Sequence, residues 1–137
     1  MKKSDIIKQI AQELDSGCDC YYNSQTNEII SIPNFSQFSE AEDFKDTFQA
    51  ELEEVENHQK DFITFEVLDS LESFKIMEQF VAQLSDNNFQ SQLKNALLKK
   101  KPFQNFKQLI DHSDFRQSWF DFKQHELERL VASKINL

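Results

Sequence analysis

Phe74-Lys75-Ile76-Met77-Glu78-Gln79-Phe80-Val81, followed downstream by Pro102-Phe103-Gln104-Asn105-Phe106-Lys107 and Trp119-Phe120-Asp121-Phe122-Lys123, is the sequence that decides the fold. Nine aromatic residues fall between Phe74 and Phe122, and Phe103–Phe106, Phe115–Trp119 and Trp119–Phe122 are three or four positions apart. That spacing puts them on stripes of helices, where apolar residues recur at i, i+3, i+4 and i+7. Packed helices are therefore expected, with the aromatics as core. Asp69 with Glu72 has the form of a capping box. After it, Leu71, Phe74, Ile76, Met77, Phe80, Val81 and Leu84 cover about half of the helical wheel, which predicts a central helix.

Downstream, Asp86 suits the cap of a helix using Phe89, Leu93, Ala96 and Leu97, and Pro102 suits the first turn of the next, with Phe103, Phe106, Leu109 and Ile110 inward. Ser113 is expected to cap the last helix, which carries Phe115, Trp119, Phe122, Leu127, Leu130 and Val131.

Upstream, Ser4 is the expected cap of a first helix with Ile6, Ile7, Ile10, Ala11 and Leu14 on one stripe, closed by Gly17 in a left-handed conformation. Cys18 to Tyr22 and Glu28 to Ile32 are β-prone runs around the polar turn Asn23 to Asn27, a hairpin pattern that Pro33 ends. Ala41, Phe44, Phe48, Leu52 and Val55 form a narrow stripe on an acidic surface helix from Glu40 to Glu56. Phe62 to Val67 supplies a third strand, which a lone hairpin needs for stability. The expected fold is α+β and a single domain over residues 1–137. Within it, residues 1–67 form an antiparallel three-stranded sheet with helices on one face, and residues 68–137 form a helical lobe.

Composition narrows function. Gly17 is the single glycine among 137 residues, so phosphate loops built on spaced glycines are excluded and left-handed turns fall mostly to Asn. No apolar run is long enough to span a bilayer and no apolar leader opens the sequence, so a cytoplasmic location without a membrane partner is expected. Charge is uneven: residues 1 to 66 carry 5 Lys/Arg against 15 Asp/Glu, and residues 67 to 137 carry 10 against 9. Phosphate-bearing partners are thus repelled by the first half.

Asp19-Cys20-Tyr21, Ile76-Met77-Glu78 with Phe80, Phe103 to Lys107 and Trp119 to Lys123, in this order, resemble a bacterial family known as uncharacterised protein family 0158. The resemblance runs across most of the chain. Lys101-Pro102 stands where many members have Gly-Ala, and Gln104-Asn105 stands in place of an Arg pair between the two aromatics. It implies a shared fold and brings no activity, substrate or cofactor.

Several groups of residues have chemistry to weigh. Cys18 and Cys20 have half the donors of a tetrahedral zinc site, yet no other cysteine exists and the histidines are scattered, so reduced thiols on a strand are expected, with no metal and no cofactor. Asp111, His112 and Asp114 sit at a helix corner where an imidazole between carboxylates would serve as a general base, with no evident nucleophile. His125 lies on a polar helix face between Asp121 and Glu128, and His58 in a polar break. Lys94, Lys99, Lys100, Lys101 and Lys107 form the basic concentration, beside Phe103 and Phe106. The acidic helix has eight Asp/Glu against Lys45.

Function is expected in this order. The first is a non-enzymatic binding or regulatory module that takes a protein partner on the acidic helix, through Glu42, Asp43, Asp46, Glu53 and Glu54, or on an exposed part of the aromatic lobe. The alternatives are a nucleic-acid-binding protein using the five lysines, and an enzyme with its site near His112.

Overall fold

The structure is a computed structural model, described here for residues 2–34 and 46–136. Its order is α1 (Lys3–Asp15), β1 (Cys18–Tyr22), β2 (Ile29–Pro33), α2 (Gln49–Asn57), a 3-10 turn (Gln59–Asp61), β3 (Ile63–Phe65), α3 (Ser70–Gln83), α4 (Asn87–Leu98), α5 (Pro102–Asp111) and α6 (Arg116–Ile135). The α+β class and the helical C-terminal half are thus as the sequence predicts. Contacts cluster in two compact units: Met1–Val67 with Leu127–Leu137, and Leu68–Glu126.

In the first unit the sheet order is β2-β1-β3, antiparallel throughout. The hairpin turn is built by Asn23 and Asn27. Asn23 Oδ1 accepts from the amides of Gln25 and Thr26, and Asn27 takes a left-handed φ of 64°. Tyr22 Oη donates to Asn27 Oδ1 at 3.0 Å, which ties strand to turn. Asp19 is a second tie. Its Oδ1 accepts from the Val67 amide at 2.8 Å and from Asn34 Nδ2 at 3.4 Å, joining the chain segments that leave β3 and β2.

Register corrects one expectation. Directly opposed residues of an antiparallel pair share a face. Cys20 pairs with Ser31 and Phe65, whereas Tyr21 pairs with Ile30 and Thr64. Cys20, Tyr22 and Phe65 are buried on one face and Ile30 and Ile32 on the other. Both faces therefore need cover, and helices lie on both: α1 packs against β1 on the Cys20 face, and α2 meets β2.

Helix α1 starts at Lys3 with no side-chain cap, so Ser4 lies inside its first turn. Gly17 does close it, at φ +97°. The acidic helix is described from Gln49 to Asn57 and buries none of its residues. Glu42 and Asp43 lie outside the described residues.

In the second unit, the caps form where local side chains reach the backbone. Asp69 and Glu72 make a reciprocal capping box on α3, and Asp86 Oδ1 accepts from the Phe89 amide at 2.9 Å on α4. Pro102 opens α5. Ser113 does something else: its hydroxyl donates to the Ile110 carbonyl and accepts from the Phe115 amide, two residues on, while α6 begins at Arg116.

The core of this unit is Met77, Phe80, Val81, Leu84, Leu93, Leu97, Phe106 and Ile110, with Phe74, Phe89, Leu109, Phe115, Trp119 and Phe122 packed against it. Phe80 is its centre, with ring centroids 5.3 Å from Trp119, 5.4 Å from Phe122 and 6.5 Å from Phe106. Three residues expected inside are exposed instead: Leu71, Phe103 and, in the other unit, Leu130. Phe103 meets Phe74 edge-on at 6.4 Å. Its position in the first turn of α5 leaves it at the margin of the stripe that Phe106 and Ile110 bury.

Candidate functional site

Each unit has a cleft that holds some of the residues with chemistry. In the first unit, Tyr21, Leu52, Val55, Phe62 and Thr64 line a cleft of about 620 Å³ whose rim carries Glu53 and Glu56. The helical spacing of Gln49, Leu52, Val55 and Glu56 aims one face of α2 into it. The floor is aliphatic and aromatic, and among the described residues the charged ones that line it are both acidic, with no lysine or arginine. Gln49 Nε2 donates to Glu53 Oε1 at 2.8 Å and holds that carboxylate along the helix.

Asp46 and Glu54 are exposed near the same helix. Glu54 brings in a residue that no spacing in the sequence singles out. Desolvation, and then the Glu54 carboxylate beside it, raise the Glu28 carboxyl above its ordinary value. Because Glu28 is exposed, the contact between like charges is the part that a cation would relieve.

In the second unit, α4 and α5 enclose a cleft of about 700 Å³. Helix α4 and its C-cap contribute Phe89, Gln92, Asn95, Ala96 and Lys99. From α5 and the turn after it come Asn105, Gln108, Leu109, His112 and Ser113. On each helix these positions repeat at i, i+3 or i+4 and i+7, so each presents one continuous face.

His112 therefore does lie in a cleft, but the two carboxylates expected to work with it do not join it there: Asp111 pairs with Arg116 at 3.4 Å, and Asp114 is exposed outside the lining. The neighbouring Ser113 hydroxyl is held by its turn. Among the described residues, no nucleophile, base and orienting carboxylate are brought together there.

The five lysines are likewise separated. Lys94 and Lys99 are five residues apart on α4, about 140° around the helix. Lys99 lines the α4–α5 cleft, while Lys94 lines a groove between α3 and α4 with Phe74, Glu78, Leu97 and Leu98. The Lys100 carbonyl accepts from Asn105 Nδ2 at 2.8 Å, and Lys101 sits at the N-cap of α5 with φ 57°. Lys107 is exposed on α5, outside both linings.

Cys18 and Cys20 are free thiols. Cys20 is buried, with Sγ 3.7 Å from Ser31 Oγ and 3.9 Å from the Ile10 carbonyl. Burial pushes its thiol up to about 11, against the opposing pull of the Ser31 contact. Burial also raises Cys18, with Glu13 adding to it. Both groups are thus held as thiols. Among the described residues no three His, Cys, Asp or Glu side chains form a group that could hold a metal ion, and no helix is long and apolar enough to cross a membrane.

The fold is that of an α+β protein with a helical C-terminal half. The chain belongs to the uncharacterised protein family UPF0158, whose model it matches over residues 1–135. No curated protein and no solved structure matches it.

Proposed function

We propose that the protein is a non-enzymatic binding module that takes a basic segment of a protein partner on α2 and the cleft beside it. The observation that supports this reading is the cleft itself. An apolar floor of Tyr21, Leu52, Val55 and Phe62 beneath the carboxylates of Glu53 and Glu56 is complementary to lysine or arginine, whose aliphatic stems bury while the charged heads meet carboxylates. The Glu28–Glu54 contact adds a place where a partner's cation lowers an existing repulsion. Helix α2 buries no residue, so its acidic face is available without unfolding anything.

The test is a titration with a labelled lysine- and arginine-rich amphipathic peptide, with its glutamate counterpart as control. Charge reversal at Asp46, Glu53 and Glu54 is expected to weaken binding of the basic peptide by at least about tenfold, and more with Glu42 and Asp43 added. Equal affinity for the original and the reversed protein would overturn the proposal.

A further inference from the structure

The lining of the α4–α5 cleft is rich in carboxamides and carries Lys99, in contrast to the acidic cleft beside α2. We propose that it binds a phosphorylated nucleobase, either as a free nucleotide or as a unit of a single-stranded nucleic acid. This inference stands independently of the partner surface on α2.

Four carboxamides line the cleft: Gln92 and Asn95 from α4, Asn105 and Gln108 from α5. A carboxamide presents a donor and an acceptor in fixed geometry, which matches the paired donor and acceptor on a base edge. The side chains of Gln92, Asn95 and Gln108 make no hydrogen bond to another described residue, so their donors and acceptors are free for a ligand. Asn105 is half committed, since its Nδ2 donates to the Lys100 carbonyl and its Oδ1 is left as an acceptor.

Phe89 and Leu109 supply apolar surface for the face of a base. The Phe89 ring is held rigidly, stacked on Phe115 at 4.9 Å and 12°. Charge then selects the remainder of the ligand. The chain has a net charge of −9, yet among the described residues no Asp or Glu lines this cleft, and Lys99 stands in it as a cation. A phosphate is attracted there, whereas the acidic surface of the other unit repels it. The cleft volume lies within the range of small-ligand sites, roughly 300 to 1,000 Å³.

The test is a set of titrations with AMP, adenosine and a short single-stranded oligoadenylate, followed through the NMR signals of the Gln92, Asn95 and Gln108 side-chain amides. All three amides are exposed, as is Lys99, so Lys99→Gln and the double substitution Asn95→Ala with Gln108→Ala leave the core untouched. AMP is expected to move the three amide signals and to bind about tenfold more tightly than adenosine, a preference that Lys99→Gln removes. The double variant is expected to weaken both ligands. Tighter, steeply salt-dependent binding of the oligoadenylate identifies nucleic acid as the source. Equal or stronger binding of AMP identifies the free nucleotide. No shift with any of the three ligands, or shifts that persist in both variants, would overturn the proposal.

Discussion

Lys134, near the end of α6, holds its ammonium 5.2 Å from the centroid of the Phe65 ring, over the last residue of β3. The same ammonium donates to the Thr64 carbonyl. Among the described strands β3 pairs with β1 alone, which leaves it at the edge of the sheet. A lysine on such an edge satisfies a carbonyl and disfavours edge-to-edge association with another chain. Replacing Lys134 with Ala is expected to cost about 1 kcal/mol, most of it from the cation over the ring. Lys134→Met keeps the stem and should lose nearly as much, while Lys134→Arg should retain most of the stability. Chemical denaturation of the three variants decides this. If Met at this position is as stable as Lys, packing of the stem and not the charge holds the contact.

Phe80 is the residue whose loss should damage the second unit most. It is 1% exposed and touches Phe106, Trp119 and Phe122, which come from two other helices. Phe80→Ala removes both the transfer free energy of the ring and the edge-to-face contacts, and leaves a cavity that helices cannot readily close. A loss of about 3 to 5 kcal/mol is expected, measured by denaturant unfolding with Trp119 fluorescence as the probe. Phe103→Ala, at 41% exposure, is expected to cost less than about half of that. Equal losses would mean that the core is not centred on Phe80.

What was legible in the sequence was whatever local geometry decides. Asp69, Asp86 and Pro102 act within three residues of themselves, and the 3.6-residue period places Phe80, Phe106 and Ile110 inside whatever their partners are. The hairpin is similar, because Asn23 and Asn27 build the turn from their own side chains and backbone. Ser113 and Ser4 show the limit of such signals: the Ser113 hydroxyl serves the turn before α6, and Ser4 falls inside the first turn of a helix that starts without a side-chain cap. Long-range features were hidden. The two-sided sheet follows from register, which no run of five residues declares. Glu28 meets Glu54 only because hairpin and α2 fold together, and the carboxamides of α4 and α5 look like ordinary surface residues until two helices bring them to one cleft. The five lysines show the converse: close in sequence, they are spread around two helices and a turn.

Two residues in the left-handed region make opposite predictions. Gly17 closes α1 at φ +97°, and a Cβ placed there meets nothing within 4 Å, so Gly17→Ala tests backbone conformation alone. A loss of about 1 to 2 kcal/mol is expected. Lys101 holds φ 57° without the freedom of glycine and without a side-chain cap, just before a proline. Lys101→Gly relieves that strain and is expected to stabilise by about 0.5 to 1 kcal/mol, net of the added freedom of the unfolded chain. Thermal unfolding of both variants checks the pair. A destabilised Lys101→Gly protein would show that the lysine side chain contributes more than its backbone costs.

Cys20 links burial to alkaline stability. Its thiol is raised from 9.0 to about 11 in the folded protein. A folded state that holds its proton longer than the unfolded state loses stability as the pH rises from the unfolded value toward the folded one. Between pH 9 and 11 the loss attributable to Cys20 is on the order of 2 to 3 kcal/mol, and below pH 9 there is none. Tyr21 is raised as well, by burial first and then by Asp19, and adds a loss of the same sign above pH 10. Stability measured against pH in Cys20→Ala and Tyr21→Phe separates the two, because each variant should flatten its own region of the curve. Thiol labelling at neutral pH gives an independent reading. Cys18, half-buried, should react slowly, and Cys20 should react only as the protein unfolds. Labelling of Cys20 at the rate of Cys18 in the native protein would refute the buried placement, and a Cys20→Ala curve as steep as the original would refute the linkage.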